Sequence, residues 1–280
     1  MNIKESLIYA ASKLQAVGIK SANLESRILM QHVTGKSIEY LLARSEEELT
    51  QQEQIIFEDL VNRRTLLEPI AYIVGYKEFY SYQFIVNDKV LIPRQDTEII
   101  VDAILSDIKT NVELAILELG TGSGCIALSL LLEMPNSNVT ATDISNEAIA
   151  IASQNAIKHK VSDRFKIINN SNWFDNLEKQ EFDIIVSNPP YISFDDTVYM
   201  SSETLKYEPH LALFAEDNGL ASYYIIAKEA KGFLKQNGKL FLEIGFNQLA
   251  AVTEIFVSYG YTVKQVYQDL EGRDRGLLIT

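Results

Sequence analysis

Hydrophobic and polar positions along this chain change their period from one region to the next. Up to Glu68 the apolar residues recur every three or four positions, the spacing of amphipathic helices. Leu7, Ala11, Leu14 and Val17 share one such face, and Gly18 stops it. Ser21 is placed to cap a second helix with Leu24, Ile28 and Leu29 inward, ended by Gly35. Ser37 opens a short third helix through Leu41 and Leu42. Thr50 and Glu53 make a capping-box pair ahead of a longer helix carrying Ile56, Leu60 and Leu67, which Pro69 terminates. Residues 1–68 therefore read as a small all-helical domain. Over 69–95 the period shortens. Tyr82-Gln83-Phe84-Ile85-Val86 and Lys89-Val90-Leu91-Ile92, around Asn87-Asp88, predict a β-hairpin closed by Pro93. A hairpin connector is stiffer than a Gly/Ser linker and holds its neighbours in a fixed relation.

From 96 to 280 the two periods alternate. Asp96 or Thr97 caps a helix bearing Ile100, Ile104 and Ile108. Strands are expected at 115–119, 138–142, 165–168, 183–186, 239–244, 262–268 and 276–279, and helices near 123–133, 145–158, 219–236 and 247–258. Such alternation predicts an α/β domain with a doubly wound sheet. The last two strands are too close for a helical crossover and should be antiparallel. The long insert at 193–218 follows a strand end, where extended loops are often functional.

Two stretches carry candidate chemistry. The apolar run Ile184-Ile185-Val186 ends at Ser187-Asn188-Pro189-Pro190-Tyr191. The prolines forbid further ladder pairing and stiffen the exit. They leave the amide of Asn188, which both donates and accepts, and the aromatic face of Tyr191 at the strand's carboxyl end. Ligands of open α/β sheets gather there. Alone, the corner is equally a Pro-rich turn with a capping Asn. Upstream, Ala115-Ile116-Leu117-Glu118-Leu119 runs into Gly120-Thr121-Gly122-Ser123-Gly124 and then a helix. Glycines let the backbone approach a ligand while helix N–H groups point outward. The strand after it ends in Asp143, whose carboxylate can accept from both ribose hydroxyls. A structural βα turn and a helix-terminal charge would look alike singly; the ordered set points to a nucleotide-type cofactor.

Glycine loop, acidic ribose residue and Asn188-Pro189-Pro190-Tyr191 resemble class I S-adenosylmethionine methyltransferases acting on planar nitrogens. Ile92-Pro93-Arg94-Gln95-Asp96-Thr97-Glu98 and Tyr207-Glu208-Pro209-His210-Leu211-Ala212-Leu213 narrow the resemblance to the release factor glutamine methyltransferases, the HemK family, over essentially the full length. Gln95 departs from the second proline common at that position. The resemblance implies a Rossmann-like seven-stranded methyltransferase sheet with its last strand reversed. It implies S-adenosylmethionine held by Gly120, Thr121, Gly122, Ser123, Gly124, Asp143, Trp173 and Asn188. It implies that Asn188, Pro189, Pro190 and Tyr191 bind substrate and perform the catalysis. The expected reaction methylates the side-chain amide nitrogen of the glutamine in a Gly-Gly-Gln loop of class I release factors, tuning translation termination. The helical domain is then a substrate-protein binder rather than a plain structural cap.

Composition adds limits. With 47% hydrophobic and 22% charged residues, the 280-residue chain belongs with globular proteins. Net charge is −13, and residues 1–68 hold eight Lys and Arg against ten Asp and Glu, so most acidity lies downstream. That argues against tight phosphate-backbone binding. It disfavours a methyltransferase acting on exocyclic amines of nucleic acid, which must also flip a base. A sister enzyme methylating a ribosomal protein and a non-catalytic S-adenosylmethionine-binding scaffold remain as alternatives. One cysteine, Cys125, excludes an internal disulfide and reads as a packed hydrophobe. The amphipathic first helix is no signal peptide, and no apolar run is long enough to span a membrane. A cytoplasmic monomer is expected. His32, His159 and His210 lack ligand spacing, so no metal is expected. Arg94 is either a cleft wall or an ion pair on the connector. Glu118 faces either the cofactor's sulfonium or only the loop's N–H groups, and Glu243 either lines the cleft or is structural.

Overall fold

In the computed structural model, residues 1–108, 112–169, 172–178 and 180–280 are described, Tyr199 by its backbone alone. They separate into two compact units: Met1–Gly75 with Ser201–Tyr207, and Tyr76–Met200 with Glu208–Thr280. The helix Ile70–Val74 and the hairpin, expected together as a connector, thus fall in different units.

The first unit is built of capped helices. Thr50 and Glu53 form the expected capping box at the head of Gln51–Thr65, and Asn2 and Glu5 form another ahead of Ile3–Ala16. Ser37 caps Ile38–Ala43 by accepting from the Tyr40 N–H. Ser21 does not cap Ala22–Thr34; its hydroxyl donates to Glu25 Oε1 at 2.7 Å. The helices also turn different faces inward than their apolar spacing suggested. Ile3, Ser6, Ala10 and Leu14 are buried in the first, while Val17 lies past its end, exposed. In the second, Leu29 is buried as expected, but beside Glu25, while Leu24 is exposed; in Gln51–Thr65, Leu60 is buried as expected, with Phe57, Val61 and Arg64, while Ile56 is exposed. In the second helix and in Gln51–Thr65 the cause is a buried charge cluster that apolar periodicity cannot register. Arg64 is 3% exposed and holds Glu25 at 2.5 Å and Glu203, from the helix Ser202–Tyr207, at 2.6 Å.

The second unit opens with a hairpin of β1 (Tyr76–Phe79) and β2 (Tyr82–Ile85). The expected pairing of 82–86 with 89–92 is therefore wrong. The turn lies at Tyr80-Ser81, both at positive φ, the geometry of the tight turns that suit strand twist. Asn87-Asp88 makes only a local turn, in which Asn87 Oδ1 accepts from the Lys89 N–H. Asn155, buried, exchanges hydrogen bonds with the Ile85 backbone and donates to the Ser123 carbonyl, fastening β2 to the glycine loop.

Seven strands follow: β3 (Ala115–Leu119), β4 (Asn138–Asp143), β5 (Phe165–Asn169), β6 (Phe182–Ser187), β7 (Leu234–Glu243), β8 (Val263–Gln268) and β9 (Asp274–Ile279). Their order is β5-β4-β3-β6-β7-β9-β8, parallel except for β9, which runs against both neighbours. The order reverses between β3 and β6, so the carboxyl ends of those two adjacent strands face one crevice. Both faces of the sheet are covered by apolar cores, one around Ile116, Ile184 and Phe241, the other around Leu117, Ile185 and Leu242. The β6–β7 insert carries a 3-10 turn at Phe194–Tyr199, the helix Ser202–Tyr207 and a second turn at His210–Ala212.

Candidate active site

A cavity of about 710 Å³ lies at the carboxyl ends of β3, β4 and β6, in the size range of small-ligand sites. The glycine loop forms its floor. Gly120 and Gly122 adopt positive φ, and a Cβ on Gly120 would meet the Trp173 ring at 3.3 Å. The Gly120 and Thr121 N–H groups both donate to the Thr142 carbonyl, clamping the loop to β4. Gly124 serves the helix Cys125–Glu133 instead: a Cβ there would press on Leu128 and Ala152. Asp143 ends β4 in the cavity wall, accepting from the Gly122 N–H at 2.8 Å and the Ser145 N–H at 2.9 Å. Burial raises its pKa, and the backbone donors oppose that rise. Each carboxylate oxygen keeps a lone pair for a further donor. Ile126, Ile144 and Ala148 complete an apolar wall.

Glu118 both lines the cavity and accepts from the Thr121 hydroxyl. Burial pushes its pKa up to about 8 against the help of that hydroxyl and the Ala127 N–H. An acid raised in this way is largely neutral near pH 7 and would ionise beside a cation in the cavity.

At the end of β6, Ser187 donates to the Leu119 carbonyl and fixes the strand beside β3. Asn188 and Pro190 line the cavity, as do Gly120, Thr121, Gly122, Ser123, Asp143 and Trp173. Pro189 and Tyr191 are not among its lining residues. Tyr191 turns inward: its hydroxyl donates to Glu243 Oε1 at 3.1 Å, and its carbonyl accepts from Gln248 Nε2. The Pro190 carbonyl accepts from Ser222. Asn188 Nδ2 donates to Thr97 Oγ1 at 3.2 Å, leaving Oδ1 as the end of the amide that can accept from a ligand.

The spacing suggests Asp96 or Thr97 as a helix cap, and the structure puts Thr97 at the cap position. It precedes Glu98–Asp107 but makes no side-chain cap. Its position opposite Asn188 has no signature in periodicity, because the partners are 91 positions apart. Arg94 combines both readings entertained for it: it lines the cavity and pairs with Glu208 at 2.5 Å. Glu208, 5% exposed, also accepts from the Ile92 N–H. One buried carboxylate thus ties 92–98 to the insert's end, whose Pro209, Leu211, Ala212 and Phe214 form the cavity lip. Among the described residues, no group of three or more His, Cys, Asp or Glu is placed to hold a metal ion, and no helix is long and apolar enough to cross a membrane.

This strand order, with a glycine loop after the first parallel strand and an acid after the second, defines the class I methyltransferase fold. Family models agree in sequence: a PrmC N-terminal domain over residues 5–75 and a methyltransferase small domain over 95–210. The hMettl16 catalytic domain shares the fold at a TM-score of 0.58 and 16% identity, covering 98% of this chain and 90% of that one. A bifunctional methyltransferase of Rickettsia typhi is 53% identical over all of this chain, which spans 57% of that relative's length. A release factor glutamine methyltransferase of Agrobacterium fabrum is 37% identical, over 98% of this chain and 96% of its own. The chain belongs to the release factor glutamine methyltransferase family.

Proposed function

We propose that this protein transfers a methyl group from S-adenosylmethionine to the side-chain amide nitrogen of a glutamine, that of the Gly-Gly-Gln loop of class I release factors. The orientation of Asn188 carries the reading. An amide nitrogen is a poor nucleophile because its lone pair is delocalised into the carbonyl, so placement must do much of the catalysis. Asn188 Oδ1 is one acceptor for the two hydrogens of a primary amide, and the Pro189 carbonyl, although Pro189 is not among the cavity's lining residues, is the proposed second. The neighbouring Pro190 and Tyr191 carbonyls are already bonded to Ser222 and Gln248. Pro190 supplies a flat apolar wall for the amide plane.

The residues around the loop fit the methyl donor. Asp143 would hold the ribose, the apolar wall of Ile126, Ile144 and Ala148 would take the base, and Trp173 closes on Gly120. When bound, S-adenosylmethionine supplies an electrophilic methyl on a sulfonium. Glu118 offsets positive charge in the cavity, and Leu211 and Phe214 add apolar surface to its lining. The Met1–Gly75 unit is the proposed docking module for the protein substrate.

The test offers labelled S-adenosylmethionine with purified class I release factor, ribosomal protein, RNA and duplex DNA separately. Label should enter only the release factor, at the Gly-Gly-Gln glutamine by mass spectrometry. Asn188→Ala should lower single-turnover methylation about a hundredfold, the scale of a 1 Å misplacement. Equal labelling of RNA, or full turnover by Asn188→Ala, would overturn the reading.

A further inference from the structure

Asn188 has two ends alike in shape and opposite in role. Only its oxygen can receive a hydrogen from a substrate amide. What decides which end faces the cavity lies behind it. Thr97, 2% exposed, accepts from Asn188 Nδ2. A hydroxyl has one proton to give. With that lone pair occupied, the Thr97 proton remains for a further acceptor, and the Thr97 hydroxyl favours the ionised form of the neighbouring Glu243. Glu243 is 1% exposed and takes the Tyr191 hydroxyl on Oε1, with no hydrogen bond made by Oε2. An ionised carboxylate only accepts, so every donor in this row points toward Glu243 and away from the cavity.

We propose that Glu243 and Thr97 are positioning residues: together they hold Asn188 with its oxygen toward the substrate. The inference rests on the reading of Asn188 as acceptor for a glutamine amide. Neither residue reaches the reacting atoms. Glu243 acts through Thr97 on one side and steadies the Asn188–Tyr191 corner through the Tyr191 hydroxyl on the other.

The charge state of Glu243 then matters. Burial lifts its pKa to about 7, opposed by Thr97, Tyr191 and Arg275, and Asp96 adds to the rise. Arg275 is engaged elsewhere, 3.2 Å from both Asp96 and Asp269. Two further titratable groups beside Glu243 are uncharged at neutrality: Tyr223, which donates to its backbone carbonyl, and the Cys125 thiol, pushed up to about 12 by burial. Below about pH 7 a protonated Glu243 can donate to Thr97. Thr97 can then donate to Asn188 Oδ1, turning the amide nitrogen to the cavity. Turnover should therefore rise with pH through neutrality.

The experiment compares wild type, Thr97→Val, Thr97→Ser and Glu243→Gln in single-turnover methylation of release factor across that pH range. S-adenosylmethionine affinity and melting are measured alongside to verify folding. Thr97→Val should lose roughly tenfold to a hundredfold in rate at saturating substrate, with donor affinity and KM nearly unchanged. Thr97→Ser should restore most of it. Glu243→Gln keeps shape but can donate, so it should be slow and flat with pH. Full turnover by Thr97→Val, or a neutral-pH limb surviving in Glu243→Gln, overturns the proposal. If the variants fail to fold, a wild-type profile without that limb does the same. A wild type that methylates no glutamine overturns the proposed function instead. The positioning row is then read from the Asn188 side-chain amide resonances, which should shift through neutral pH in wild type. Resonances that stay fixed overturn it.

Discussion

Glu118 shows how one residue's burial becomes a ligand preference. Its folded pKa is raised to about 8 by removal from water, so near neutrality the empty protein holds it largely protonated. A cationic ligand nearby favours the ionised form, so binding expels a proton. The sign follows: affinity for S-adenosylmethionine should climb as pH rises toward about 8 and level off beyond it. Calorimetry in buffers of different ionisation heat should detect the released proton at pH 7, and Glu118→Gln should abolish both effects. Proton release unchanged in Glu118→Gln would assign the linkage to another group.

At the level of elements, the corner after β6 is set by a close approach. Gly219, at positive φ, lies against Tyr191 so closely that a Cβ would sit 2.2 Å from the Tyr191 carbonyl oxygen. Gly219→Ala must displace either that corner or the helix Ala221–Glu229. Overlap of this kind costs roughly 1–3 kcal/mol, and positive φ adds strain for alanine. Denaturant unfolding should show the loss, and methylation should fall further than stability alone explains, because the corner carries Asn188. Wild-type turnover in a folded Gly219→Ala protein would refute that coupling. Nothing in the sequence marked Gly219 out, since its reason is a carbonyl far along the chain. The strands of the sheet and the antiparallel final pair were legible because buried runs, glycines and loop lengths are local signals. The corner and the glycine loop were legible for the same reason. The hairpin register was not, because Tyr80-Ser81 lacks the Asn-Gly or Asp-Gly chemistry its turn geometry favours. The helix faces failed for a third reason: Glu25 and Arg64 are buried as a pair, and periodicity scores charge as surface.

For the whole molecule, net charge matters less than where charges are hidden. Glu25 and Arg64 add nothing to the formal −13, because they neutralise each other inside the first unit. Replacing one member of a buried pair costs roughly 3–5 kcal/mol because the other is stranded. Arg64→Met should therefore unfold the first unit at markedly lower denaturant. Glu25→Gln with Arg64→Met should recover much of the loss, and equal stability of the single and double variants would deny the pair its role. Cutting the chain after residue 68 is a poorer probe of substrate docking. Lys206 Nζ and the Tyr207 hydroxyl both bond the Leu66 carbonyl, so such a cut strips the helix Ser202–Tyr207 of its packing.

That helix also sets a timetable. A ribosome makes the chain from its amino end at a pace slow enough for early domains to fold as they emerge. The unit begun first here waits for its last piece: residues 76–200 must be made before Ser201–Tyr207 exists. Until then Arg64 has Glu25 but not Glu203, and the surface that takes the late helix is open to solvent or to a chaperone.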